Sequence, residues 1–343
     1  MIIFIMRLVF KSIYPPFSGK YFLDTQGHNF YNLDMKEQRP LTEQINGDLK
    51  MESLMVPVNS TDNLHLKHIY INPDGPPIFM LHGSVENGRM FYSNTGSGGL
   101  GPYLAKYGYD VYVGDLRGRG ESKPHVSRNS KYGQTEAITE DIPAFIEKII
   151  SLRGNTPQRW VCHSWGGVLT SSHLLRFPKY RDLVKSMVYF GSKRRVSAIN
   201  PTRIFQIDIV YTFLGSLLVR KHGYFPSSRF MSEDEPALTR KGTSIWIRMK
   251  DWVDPFDGFN YGKAAQDVVL PPTLYFAALN DQCLGHRKDV LLTINESGKH
   301  VSKYVLLGKK CGNLHDYNHV TMLTHKDAVK DHFPMVIDWL AKY

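Results

Sequence analysis

The stretch that decides the fold is Val161-Cys162-His163-Ser164-Trp165-Gly166-Gly167, VCHSWGG. An apolar run, Trp160-Val161-Cys162, stops here, and a helical pattern from Gly166 to Phe177 begins, closed by Pro178. A serine in an ordinary loop is solvated and carries no chemistry. A nucleophilic serine must instead be lifted above a sheet on a very sharp strand-to-helix turn, which needs small residues two before and two after it. Those positions hold Cys162 and Gly166.

Outward from this turn the chain alternates apolar runs and helical patterns. Leu64 to Ile71 alternates apolar with polar and reads as a half-buried antiparallel strand. Pro77–Leu81, Asp110–Gly114, Ser186–Phe190, Thr273–Ala278 and Lys303–Leu307 read as buried strands. Ile138, Ile142, Phe145, Ile146, Ile149 and Ile150 fall on one helical face ended by Gly154, with Pro143 implying a later start or a kink. A terminal helix is expected after Thr324, carrying Val329, Phe333, Val336, Ile337 and Leu340. Strands alternating with helices predict an α/β fold, a mostly parallel central sheet with helices on both faces.

The rhythm breaks from 192 to 270, roughly 80 residues where an ordinary loop would serve. That interval holds the apolar run Ile204 to Val219 and is expected to be a mainly helical cap insertion. The expected division is an N-terminal extension of unassigned structure, 1–52, a core made of 53–191 and 271–343, and the cap at 192–270.

VCHSWGG resembles the nucleophile elbow, G-x-S-x-G, of the α/β-hydrolase fold superfamily, with Cys162 in place of the first glycine. The strand Ile78–Leu81 followed by His82-Gly83-Ser84 resembles that superfamily's oxyanion loop. Gly114-Asp115-Leu116-Arg117-Gly118-Arg119-Gly120-Glu121-Ser122 resembles the turn after its next strand. Three such pieces in the right order cover the chain from about residue 53 onward, the insertion excepted. The resemblance implies a serine esterase or lipase-like enzyme with a catalytic triad in the order serine, acid, histidine.

The nucleophile is then Ser164. The acid is Asp281, directly after the Thr273–Ala278 strand; Asp251, Asp254 and Asp257 lie too early. The base is His319 on the last loop, with His315 as the alternative. Backbone N–H groups of Trp165 and Ser84 are the expected oxyanion donors. His163, Asp115, Arg117 and His82 read as structural, and His325 and His332 as sharing one face of the terminal helix. Cys162 reads as a buried, inert thiol.

Composition limits the alternatives. A 42% hydrophobic chain of 343 residues builds a sizeable core. The formal net charge of +10 is scattered, apart from Lys193-Arg194-Arg195, which is expected to steer anionic acyl or lipid substrates. Nucleic-acid motifs and metal spacings do not appear, so neither nucleic acid, metal nor cofactor is expected. Three cysteines suit a reducing, cytoplasmic compartment. MIIFIM at the N-terminus is far short of the about 20 residues that span a bilayer, and peripheral membrane contact stays open. The expected substrate is a small-molecule ester or lipid-like compound with a lipophilic acyl part. Thioesterase, amidase or lyase use of the triad and a catalytically silent binding protein are the competing readings.

Overall fold

The computed structural model describes residues 43–93 and 98–343. Most of the 1–52 extension, MIIFIM included, lies outside the described residues. Its end does not: strand β1 (Lys50–Pro57) starts within it and pairs antiparallel with β2 (Asn63–Tyr70). The alternation of β1 is masked in the sequence by its exposed position, only Val56 being buried.

The strands β3 (Pro77–Leu81), β4 (Asp110–Asp115), β5 (Gln158–His163), β6 (Val184–Phe190), β9 (Thr273–Ala278) and β10 (Ser302–Leu307) follow the predicted runs, each within a few residues at its ends. They form one eight-stranded sheet in the order β1-β2-β4-β3-β5-β6-β9-β10. From β4 to β10 every neighbouring pair is parallel, while β1 and β2 join antiparallel. Two core layers result from the period-two alternation of the central strands. Phe79, Leu81, Trp160, Cys162, Met187 and Tyr189 face one layer. Ile78, Met80, Val161, Val188 and Phe190 face the other. Helix α2 (Ile142–Arg153) packs Phe145 and Ile149 into the first. Helix α1 (Leu100–Lys106) and the terminal helix bring Leu104, Val336 and Leu340 to the second. Pro143 lies inside a helical run that continues unbroken from Gln134 through a π-type stretch, Ala137–Asp141, into α2, so it marks that irregular stretch and not a later start.

The terminal helix differs from expectation. It is divided into Ala328–Asp331 and Phe333–Lys342, with His332 at the break and Pro334 in the first turn of the second piece. Proline lacks the N–H that would continue the earlier turn. His325 lies outside both pieces, so it and His332 do not share a helical face.

Between β6 and β9 the chain leaves the sheet. It forms a long helix, α4 (Pro201–His222), with a π-type middle at Ile204–Leu214. A short ribbon of β7 (Tyr224–Phe225) and β8 (Glu235–Pro236) follows, then helix α5 (Ala237–Trp246). Among the described residues, α4 alone is long and apolar enough to cross a membrane by length and composition. It buries Ile207, Val210 and Leu218 but leaves Phe205, Ile209, Phe213 and Leu217 exposed at four-residue intervals. Exposed Arg220 and Lys221 end that ridge.

The parallel strands set the site. β3, β5, β9 and β10 end at one edge of the sheet, where Leu81 pairs in register with Cys162. The segments leaving those ends carry Gly83-Ser84, Ser164, Asp281 and His319. The carboxyl edge of an open parallel sheet is where such folds gather ligands.

Candidate active site

Ser164 stands between β5 and helix α3 (Trp165–Arg176) with φ 50° and ψ −121°. A non-glycine residue with positive φ costs of order 1–3 kcal/mol and persists only where its surroundings impose it. Here the Ser164 N–H donates to the Phe190 carbonyl at 2.8 Å, which pins the turn to β6. The glycine two residues after the serine is needed. A Cβ on Gly166 would lie 2.5 Å from the carbonyl oxygens of Leu81 and His82. From Trp160 to Leu175, Ser164 is the one residue that is not buried.

Asp281 and His319 meet directly: Nδ1–H of His319 donates to Asp281 Oδ2 at 2.6 Å. Both side chains are buried. Burial alone would raise the Asp281 pKa. Attraction to His319 and that hydrogen bond outweigh it, with help from the N–H groups of Gly285 and Cys283, and hold the carboxyl below its usual range. Gly191 (φ 61°) and Gly285 are the floor of this pair. A Cβ on Gly191 would come within 2.9 Å of the His319 ring, and one on Gly285 within 2.7 Å of Asp281 Oδ2. His315, the alternative base, turns to Asp327 instead, at 2.8 Å.

Two acidic residues at the site carry no signal in the sequence. Glu86 is buried and accepts from the Gly83 N–H at 3.0 Å and from His163 Nδ1 at 2.8 Å. The other nitrogen of His163 donates to the carbonyl of His319 at 2.9 Å. Both ring nitrogens therefore face acceptors, and the ring carries both protons. Burial opposes that charge, but Glu86 outweighs it and raises the His163 pKa; Glu86 is lowered in turn, against its own burial, by His163. His163 ties the glycine loop after β3 to the His319 loop, and its ring centroid lies 4.7 Å from that of His319. Glu86, His163 and His319 also cluster as three metal-type donors. The hydrogen bonds just given already occupy that cluster.

Glu235 is the second. It is fully buried on β8 and accepts from the Ser84 hydroxyl at 2.5 Å and from Tyr211 of α4 at 2.9 Å. Glu233 N–H bonds the carbonyl of Val85, itself at φ 53°. The segment between β6 and β9 is thus seated on the loop that carries Ser84. A cleft runs along this seam, lined by Ser84, Trp165, Arg119, Gln134, Leu169 and Thr239 among others.

The residues read as structural have local partners. His82 donates from Nδ1 to the Gly83 carbonyl and accepts from the Leu116 N–H at Nε2. Asp115 accepts from His65, Gly88 and Glu121. Arg117 is held by Asp141, Glu140 and Asp62. Cys162 is fully buried, which pushes its thiol up to about 12.

The basic cluster is not a steering patch. Lys193 and Arg194 are buried, and Arg194 and Arg195 both pair with Glu296. Arg194 also donates to the carbonyls of Trp246, Met249 and Lys250. Arg194 thus holds the 246–250 turn to the core, while Lys193 lies over the Trp165 ring, 5.9 Å from its centroid.

Residues 76–217 match the family model described as alpha/beta hydrolase fold. Gastric triacylglycerol lipase of Rattus norvegicus is 26% identical over 163 residues, 45% of this chain and 40% of that one. Lysosomal acid lipase/cholesteryl ester hydrolase of Homo sapiens is 28% identical over 130 residues, 36% and 32% of the two. The chain therefore spans less than half the length of these relatives. Carboxylesterase CesB (YbfK) from Bacillus subtilis superposes with a TM-score of 0.53 at 15% identity, covering 86% of this chain and 93% of that one. A 2-hydroxy-6-oxo-6-phenylhexa-2,4-dienoate hydrolase from Rhodococcus sp. strain RHA1 gives 0.54 at 17%, covering 86% and 100%. With the parallel sheet and the serine turn already described, these likenesses show the α/β-hydrolase fold.

Proposed function

We propose that this protein is a serine hydrolase that cleaves carboxylic esters through an acyl-enzyme on Ser164. The contact between His319 and Asp281, at the same sheet edge as the Ser164 turn, carries the reading. Nδ1–H of His319 is committed to Asp281, which leaves the lone pair of Nε2 to take the serine proton. Ser164 Oγ attacks the ester carbonyl. The N–H groups of Trp165 and Ser84 receive the oxyanion; each such donor supplies about 3 kcal/mol of transition-state stabilisation. His319 returns the proton to the leaving alcohol, and water repeats the sequence to release the acid. Metal and cofactor have no part in this scheme.

Relatives described as triacylglycerol lipase and cholesteryl ester hydrolase support a lipid-like ester with a lipophilic acyl part. The exposed ridge of α4, ending in Arg220 and Lys221, supports contact with an anionic lipid surface, and the 192–270 segment is then a cap over the site. A cytoplasmic location is the companion proposal, resting on the three unpaired cysteines.

The test is a fluorophosphonate probe together with a p-nitrophenyl ester panel of varied acyl length, run on the parent and Ser164→Ala. Labelling at Ser164 and loss of turnover in the variant are expected. Folded protein that takes no label would overturn the reading in favour of a binding protein. Preferred cleavage of thioesters or amides would reassign the substrate class.

A further inference from the structure

We propose that Glu233 and Glu235, on the segment between β6 and β9, are positioning residues for the reaction: they clamp Ser84 and Val85 in the shape that receives the oxyanion. The proposal rests on the ester-hydrolase reading and adds to it residues that lie outside the sheet edge.

The loop after β3 does not hold its middle by itself. Val85 stands at φ 53°. For a β-branched residue this is a strained backbone, which persists only where the surroundings impose it. From the core side, Glu86 accepts from the Gly83 N–H at 3.0 Å and from His163 at 2.8 Å. Those bonds fix the two ends of residues 83–86 and leave Ser84 and Val85 between them. The loop also presses on the nucleophile: a Cβ on Gly83 would lie 2.7 Å from Ser164 Cβ. A shift of the loop is therefore felt at the serine.

The middle is held from the other side. The Glu233 N–H donates to the Val85 carbonyl at 3.1 Å. Glu235 Oε1 accepts from the Ser84 hydroxyl at 2.5 Å, and the Glu233 carboxylate accepts from the Asn87 side-chain amide. One stretch of three residues, 233–235, thus grips residues 84, 85 and 87. Glu235 is 0% exposed, and its other partners are the Tyr211 hydroxyl at 2.9 Å and Arg119 Nη2 at 3.7 Å. Its shortest contact goes to the Ser84 hydroxyl and not to the cation. A carboxylate only accepts, so that hydroxyl is committed to it as donor, in the short, charge-assisted class of hydrogen bond. Donors that are fixed before the reaction stabilise developing charge without reorganising. That charge exists only in the transition state, so loosening the clamp lowers kcat and leaves KM in place.

The test measures kcat and KM on p-nitrophenyl butyrate for the parent, Ser84→Ala, Glu235→Met, Glu235→Gln and the Ser84→Ala/Glu235→Met double variant. Alongside, Ki is measured for a trifluoromethyl ketone, whose carbonyl oxygen becomes an oxyanion when Ser164 Oγ adds to it. Loss of one oxyanion donor costs about 10²–10³ in kcat, so a donor misplaced by a loosened loop is expected to cost tenfold or more. Ser84→Ala and Glu235→Met should each show that loss with KM within threefold, and Ki should rise by a similar factor. Glu235→Gln keeps an acceptor for the hydroxyl and should recover most of the kcat lost in Glu235→Met. Because Glu235 acts through Ser84, the double variant should fall no further than the worse single one. The clamp is overturned if Ser84→Ala keeps kcat within threefold, if the two losses multiply in the double variant, if Glu235→Gln is as slow as Glu235→Met, or if KM rises while kcat and Ki hold. Should Glu235→Met not fold, Ser84→Ala and Glu235→Gln decide by the same kcat and Ki criteria, with kcat within threefold in Ser84→Ala as the overturning result. With parent turnover that depends on Ser164, these outcomes sink the clamp alone. A parent without turnover, or with turnover that survives Ser164→Ala, sinks the ester-hydrolase reading and the clamp with it.

Discussion

Glu86→Gln removes a charge while keeping the shape of the side chain. In the parent, the buried Glu86 carboxylate faces the His163 imidazolium at 2.8 Å, and His163 holds the His319 carbonyl at 2.9 Å. Breaking a buried pair by removing one partner costs about 3–5 kcal/mol. The ring can relieve part of this by giving up a proton, but it then loses one of its two hydrogen bonds. We expect a loss of about 3 kcal/mol. At roughly 2 °C per kcal/mol for a chain of this size, that lowers Tm by about 6 °C. The pH dependence fixes the mechanism. His163 is raised from 6.5, so its contribution is full below about pH 6.5 and is lost as pH rises through its folded value. Glu86 is lowered from 4.5, so its contribution is full above about pH 4.5 and is lost as pH falls through its folded value. The gap between parent and variant should therefore be widest from about pH 4.5 to 6.5 and narrow at alkaline pH. Thermal melts across pH 4 to 9 measure it. Equal Tm values at pH 5.5 would refute the ion pair. A gap that does not change with pH would refute its ionic character.

Asp281→Asn should lower kcat on p-nitrophenyl esters by on the order of 10³–10⁴, because the amide favours the wrong tautomer of His319; a fall under tenfold would remove Asp281 from its role. Gly191→Ala places a methyl 2.9 Å from the His319 ring at a backbone φ of 61°. It should cost activity heavily, whereas Gly154→Ala, with open space around it but at φ 62° and ψ −160°, should cost about 1–3 kcal/mol of stability and no turnover. Thiol titration of the native protein should find one reactive cysteine, the exposed Cys311, and three after denaturation; Cys162 and Cys283 are buried, each pushed up to about 12. Phe213→Glu, at 62% exposure on α4, should weaken co-sedimentation with anionic vesicles at least tenfold and leave the melt unchanged. Vesicle binding equal to the parent's would remove that ridge from any lipid contact.

The parts of the site that depend on strand ends were legible in the sequence, because a buried parallel strand is a continuous apolar run with a sharp stop. Cys162, Gly166 and the Thr273–Ala278 run located Ser164 and Asp281 in this way, and order along the chain supplied His319. Contacts made between distant segments were not legible. Glu86 lies three residues after Gly83 in a loop without periodicity, and only the fold brings it to His163. Glu235 sits in a polar stretch, and its burial depends on how β8 meets the Ser84 loop. The same limit applies to Lys193-Arg194-Arg195: clustered charge says nothing about which partners it finds. Ile204 to Val219 was readable as apolar and helical, but composition could not tell that one face would point outward.

Three tryptophans bridge the two halves of the protein. Trp165 follows the serine, while Trp246 closes α5; their ring centroids lie 6.0 Å apart, and Trp252 lies 6.3 Å beyond Trp246. Any displacement of α5 from the sheet changes the surroundings of Trp165. The intrinsic emission of the unlabelled protein is therefore a reporter of that motion, readable by stopped-flow within a single turnover.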